Sequence, residues 1–155
     1  MIKVSHTVSG TMVLSPPTIA APAPPHTYLG IAQGMMDGVR VLATASPLPS
    51  LALALVAAHT LECLLKAYLS RSRSDTAVRG QQVRHDLEKL WTMACADGLR
   101  IQPTLPDWAK RLSDLHKSPY HLRYSAGVHG LVTPAPEPMT TELAQLAENV
   151  RAQLR

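Results

Sequence analysis

The sequence has no phenylalanine, and tryptophan and tyrosine together bring the aromatic share to only 4%. A β-sandwich or barrel that fills its core with aromatic and β-branched side chains is therefore a poor fit. The core must come from Leu, Ala, Val and Met, which favour helices. Only two cysteines are present, Cys63 and Cys95, with no CxxC pair and no flanking metal-ligand motif. That excludes a disulfide framework and points to reduced core thiols in a cytoplasmic protein. The first residues carry Lys3 but no unbroken apolar stretch, because Ser, Gly and Pro interrupt it, so no signal peptide is expected. The clean apolar run Leu51 to Ala58 is far shorter than the ~20 residues of a bilayer span. Extending it takes in His59, Glu62 and Lys66, which are costly in a membrane centre, so no membrane association is expected. There is no Gly-rich phosphate loop, nucleophile elbow or metalloprotease motif, and no cofactor is implied.

Apolar residues make up 46% of the 155 and charged residues 17%, enough for one folded domain with a single core. The formal net charge of +4 and pI near 9.3 suit an acidic partner such as RNA without demanding one. The chain centres on Ser50 to Ser70, rich in Leu and Ala and free of Gly and Pro. Apolar on nearly every side, it reads as a central helix with neighbours all round. His59, Glu62 and Lys66 fall on one narrow stripe, at i, i+3 and i+7, facing solvent, a partner chain or a site. Glu62 four residues before Lys66 is the favourable order for an ion pair on a helix surface.

Before this helix, residues 2–14 alternate loosely between apolar and polar and read either as a short β-hairpin turning at Ser9-Gly10 or as an extended arm. Residues 15–25 hold five prolines and read as a linker. Residues 1–26 thus form an arm and linker, and 27–155 the helical domain. A first helix is expected from Thr27 as N-cap to about Ala45, with Tyr28, Ile31, Met35, Val39 and Leu42 as its apolar face. Gly30, Gly34 and Gly38 form a second stripe, expected to pack closely on Ala54, Ala57 and Ala58. Residues 71–84 read as a basic, mobile loop. Asp86 caps a helix whose buried face is Leu87, Leu90, Trp91, Ala94 and Cys95 and which stops at Gly98. Another runs from about Leu105 to His116, with a capping-box-like start at Thr104 and Asp107 and an inner face of Leu105, Trp108, Leu112 and Leu115. A last helix starts near Thr140, after a segment held extended by Pro134, Pro136 and Pro138. The sum is an all-α, up-and-down bundle of about five helices.

Residues 116–130 gather His116, His121, His129, Tyr120, Tyr124, Lys117 and Arg123 in one connection. Such a loop is where a scaffold carries function. Arg123 can hold a phosphate through fixed donors and a histidine can exchange protons near neutral pH, a combination that cleaves RNA without a metal. The alternative is structural, with Arg123 pairing with Glu62 to pin the loop to the core. His116, His121 and His129 lack standard ligand spacing, and no cysteine accompanies them, so no metal site is expected.

The segments His59-Thr-Leu-Glu-Cys-Leu-Leu-Lys-Ala-Tyr-Leu69, His85-Asp-Leu-Glu-Lys-Leu90 and Tyr120-His-Leu-Arg-Tyr124 resemble the HEPN domain family over about residues 27–154. The resemblance implies a small all-α bundle that forms a homodimer. Many members are metal-independent ribonucleases of toxin–antitoxin or antiviral systems, with a motif of an Arg followed a few residues later by a His. Arg123 and His129 match that motif and are the implied catalytic pair. His59, Glu62, Lys66, His85, Tyr120 and Tyr124 are the implied supporting or binding residues. Two other outcomes stay open. One is a catalytically silent module that binds a partner protein encoded in the same operon; the other is a protein that binds a small nucleotide in the same basic cleft.

Overall fold

The computed structural model describes residues 23–124 and 130–154. The proposed N-terminal hairpin or arm, and most of the Pro-rich linker, lie outside the described residues. Six helices follow in order: α1 His26–Ala43, α2 Ser50–Leu69, α3 Thr76–Arg79, α4 Leu87–Ala96, α5 Asp107–His116 and α6 Pro136–Gln153. No strand occurs among the described residues. The chain is an all-α bundle of five full helices plus the single turn of α3.

α2 is the hub. It lies along α1 over the longest interface and also touches α3, α4, α5 and α6. Leu53, Leu61, Leu64 and Leu65 are fully enclosed, and Ala54, Ala57, Ala58 and Ala67 let neighbouring helices come close. By length and composition α2 is able to cross a bilayer, with a mean hydropathy of 1.5 over its most apolar window. Two thirds of that window is nevertheless buried by the other helices, as expected of a core helix.

The helix signals differ in how they turned out. Asp86 caps α4 as expected, its carboxylate accepting a hydrogen bond from the Lys89 amide at 3.1 Å. Gly98 ends the same helix with φ of +94°, a conformation that side chains avoid. Thr27 is not an N-cap: α1 begins one residue earlier, and the Thr27 hydroxyl bonds back to Ala23. The buried face of α1 is Ala32, Met36 and Val39, while Ile31 is 42% exposed. The glycine stripe does not pack on the alanines of α2. A Cβ at Gly30 or Gly34 would meet nothing within 4 Å, and one at Gly38 would touch only Val56 at an ordinary 3.6 Å. Ala32 on α1 and Ala54, Ala57 and Ala58 on α2 are buried, whereas Gly30 and Gly34 are exposed.

α5 starts at Asp107 behind Pro106, with no side-chain cap from Thr104. α6 starts at Pro136, earlier than expected. Pro136 and Pro138 both sit in its first turn, where their missing N–H groups would be unpaired in any helix. The segment 71–84 is more ordered than its composition implied. Val78 is buried, and the nearly buried Asp75 accepts from Tyr28 at 3.1 Å and from Arg79 at 2.7 Å. Arg71 pairs with Asp97 and lies over the Tyr68 ring. Both cysteines are free; Cys63 is buried, and burial pushes its thiol up to about 12, whereas Cys95 is half-buried.

Candidate functional site

The C-terminal half of α2 turns its polar stripe inward. Glu62 is 4% exposed and Lys66 7%, so their pair is a buried one and not the surface pair that the spacing suggested. Lys66 Nζ donates to Glu62 Oε1 at 2.5 Å. The other carboxylate oxygen, Oε2, holds two imidazoles. His116 Nε2, at the last residue of α5, lies 2.6 Å away, and His85 Nδ1, just ahead of α4, lies 3.1 Å away. A carboxylate only accepts, so His85 carries its proton on Nδ1 and His116 carries one on Nε2. The opposite nitrogen of His116 is buried with no partner among the described residues.

Burial on its own would raise the Glu62 carboxyl. The hydrogen bond from His116, the charge and hydrogen bond of Lys66 and the hydrogen bond from His85 outweigh it and hold the group at about 2, against an ordinary 4.5. Glu62 is therefore an ionised carboxylate at the centre of three donors drawn from three parts of the chain.

The remaining aromatic rings build outward from this centre. His85 meets His116 edge-on with ring centroids 5.6 Å apart, and meets Tyr120 edge-on at 5.7 Å. His59, one turn before Glu62, stands 6.3 Å from the His116 ring and is only partly covered. Burial lowers its pKa; Glu62 opposes this, and the charges of His116, Arg123 and Lys66 reinforce it. Tyr120 adopts φ of +64°, an uncommon conformation for a bulky residue. The Arg123 guanidinium lies 5.8 Å from the Tyr120 ring centroid. Arg123 is exposed and does not pair with Glu62, whose partners are Lys66, His85 and His116. The loop is pinned instead by buried Leu122, whose amide bonds the Leu115 carbonyl at 3.1 Å. Tyr124 is 63% exposed and Lys117 pairs with Asp114, so neither joins the cluster. His129 lies outside the described residues.

The residues proposed from sequence thus divide. His59, Glu62, Lys66, His85 and Tyr120 converge, Arg123 lies exposed beside Tyr120, and Tyr124 is exposed without a contact to the cluster. Missing from that set was His116, where the expected helix from Leu105 ends and the His-rich connection begins. Its signal was available: Trp108, Leu112 and His116 follow one another at four-residue intervals, so the buried face of α5 continues one turn further onto the imidazole.

A cavity of about 200 Å³ opens beside His85 and Tyr120, lined also by Gln81, Gln82, Asp86, Lys117 and Ser118. The site is therefore a buried carboxylate–imidazole core beside a solvent-facing cavity, with the exposed Arg123 next to Tyr120. Compared with known proteins, the chain matches no family model, no curated protein and no solved structure.

Proposed function

We propose that this bundle is an HEPN-like domain that binds RNA through Arg123 and cleaves it without a metal ion. The observation that carries the reading is the position of Arg123. It is exposed, held beside Tyr120 and released from Glu62, so its five donors face an incoming phosphate. Arg73 and Arg84 are exposed as well, and the net charge of +4 favours a polyanion in general.

In this reading Arg123 holds the scissile phosphate. A histidine takes the 2′-hydroxyl proton as that oxygen attacks phosphorus, the bond to the 5′ oxygen breaks, and the departing oxygen receives a proton from a second acid. The products are a 2′,3′-cyclic phosphate and a 5′-hydroxyl. His129 is the proton-transfer residue implied by the resemblance. His59 is the second candidate, because burial and its cationic neighbours favour the neutral imidazole that a general base requires. A homodimer that joins two such sites, in a toxin–antitoxin or defence setting, completes the proposal.

The test is incubation of purified protein with mixed RNA in EDTA, beside folded Arg123→Ala, His129→Ala and His59→Ala variants. Cleavage leaving cyclic phosphate ends, lost without Arg123 and without one of the histidines, is the expected outcome. Absence of cleavage by the unaltered protein, or equal cleavage by every variant, overturns it. One observation favours a second reading, a silent module that binds an operon-encoded protein: both oxygens of Glu62 are already satisfied by internal donors, as in a polar core that serves folding alone.

A further inference from the structure

One carboxylate and two imidazoles bring their donor atoms together from three separate elements. Glu62 Oε, His85 Nδ1 and His116 Nε2 all lie within 4.8 Å of one another. Ligands bound to a tetrahedral zinc ion at about 2.0–2.1 Å stand about 3.3 Å apart. The 3.1 Å separation of His85 from Glu62 already matches that spacing, the 2.6 Å separation of His116 needs to widen by less than an ångström, and the two imidazole nitrogens, within 4.8 Å of each other, have to close to it. Two imidazoles and one carboxylate are a donor set for zinc and its borderline neighbours, not for calcium or magnesium.

We propose that Glu62, His85 and His116 form a binding site for a zinc-class divalent ion, with its fourth position open to the cavity beside His85. The surroundings fit in three respects. Lys66 occupies Oε1 and leaves Oε2 toward the ion, so it acts as the outer partner that fixes a ligating carboxylate. Each imidazole offers a lone pair by moving its proton to the other ring nitrogen. For His116 the proton moves to Nδ1, a buried nitrogen with no hydrogen-bond partner among the described residues, so ion binding has to offset one unpaired N–H. The route in runs past His85, whose side chain is 22% exposed and is the one ligand that lines the 200 Å³ cavity, together with Asp86, Lys117 and Tyr120.

Charge specifies the fourth ligand. The negative charge of Glu62 is already matched by Lys66, so a bare dication leaves the centre strongly positive. A hydroxide or a phosphate oxygen in the open position restores the balance. The spacing rules applied to residues 116–130 had pointed away from metal. They compare ligands close in sequence, whereas these three are assembled by α2, α5 and the turn ahead of α4.

The site is independent of the RNA reading, and its test needs no RNA. Untagged full-length protein is stripped with EDTA, dialysed and titrated with Co²⁺ while its visible absorption is recorded. The variant is His85→Gln, whose amide still donates to Glu62 but ligates metals poorly; circular dichroism confirms that it folds. The expected result is a saturable, intense four-coordinate Co²⁺ spectrum at one ion per chain. Zn²⁺ displaces it, inorganic phosphate perturbs it, and His85→Gln weakens the affinity at least tenfold. No saturable spectrum, or a spectrum that His85→Gln leaves unchanged, overturns the proposal. Activity surviving in EDTA has no bearing on this outcome, and a failed RNA assay leaves it intact.

Discussion

The two halves of α2 are buried to different extents and by opposite means: Leu51 and Ala52 are exposed in the first half, whereas every residue from Thr60 to Tyr68 is buried in the second. From Ser50 to Ala58 the helix buries Leu53, Ala54, Ala57 and Ala58, all apolar. From His59 to Leu69 it buries Glu62 and Lys66 among leucines, pairs them with each other and gives Glu62 two histidine donors from elsewhere. Apolar packing is non-directional and degrades gradually as volume is lost. A buried charge cluster depends on every member, because removing one leaves the others desolvated without a partner. The first half is robust and generic, and the second half is specific.

The largest expected effect separates the halves directly. Glu62→Ala strands Lys66 in the core and should cost about 3–5 kcal/mol. Leu53→Met, which nearly conserves volume at an equally buried position, should cost less than about 1.5 kcal/mol. Urea unfolding of both variants checks this, and similar losses would erase the distinction between the halves.

Acid sharpens the comparison next. The folded-state pKa of Glu62 is held at about 2 against an ordinary 4.5, so the folded state resists protonation more than the unfolded chain does. Its contribution is therefore fully present above about pH 4.5 and is lost as pH falls toward 2. Denaturation curves taken across that window should show stability falling with pH in the unaltered protein. Glu62→Gln should be less stable at neutral pH and flatter through the window; an unchanged slope would mean that other carboxylates carry the acid response.

The smallest effect concerns the face of α1 that turns away from α2. Gly34 has open space where a Cβ would stand, so Gly34→Ala should stabilise the domain by about 0.5–1 kcal/mol, the ordinary gain of alanine over glycine in a helix. Thermal denaturation reads this as a small rise in Tm. A fall in Tm would show that a second chain packs against the stripe and needs it bare.

How legible the molecule was depended on the range of the interaction concerned. α4 was readable because Asp86 and Gly98 act within a turn of the helix ends. α6 was displaced because prolines that oppose helix interiors are accepted in a first turn, and composition alone does not say which applies to Pro136 and Pro138. The glycines of α1 were misread because spacing places residues on a face without saying what that face meets. Glu62 and Lys66 were recognisable as polar residues interrupting an apolar helix, and His85 and Tyr120 through the segments that carry the family resemblance. Their burial was not, and neither was the part played by His116.

Periodicity, capping and composition determined an all-α chain with one apolar central helix, since these are local preferences of the backbone and of side chains a few residues apart. Tertiary structure decided that Glu62 is buried and which groups neutralise it. His85 is 23 residues away and His116 is 54 residues away in sequence. No local preference encodes such a pairing. It arises when α4 and α5 settle against α2, and low polarity in the core then makes the meeting of those charges and dipoles obligatory.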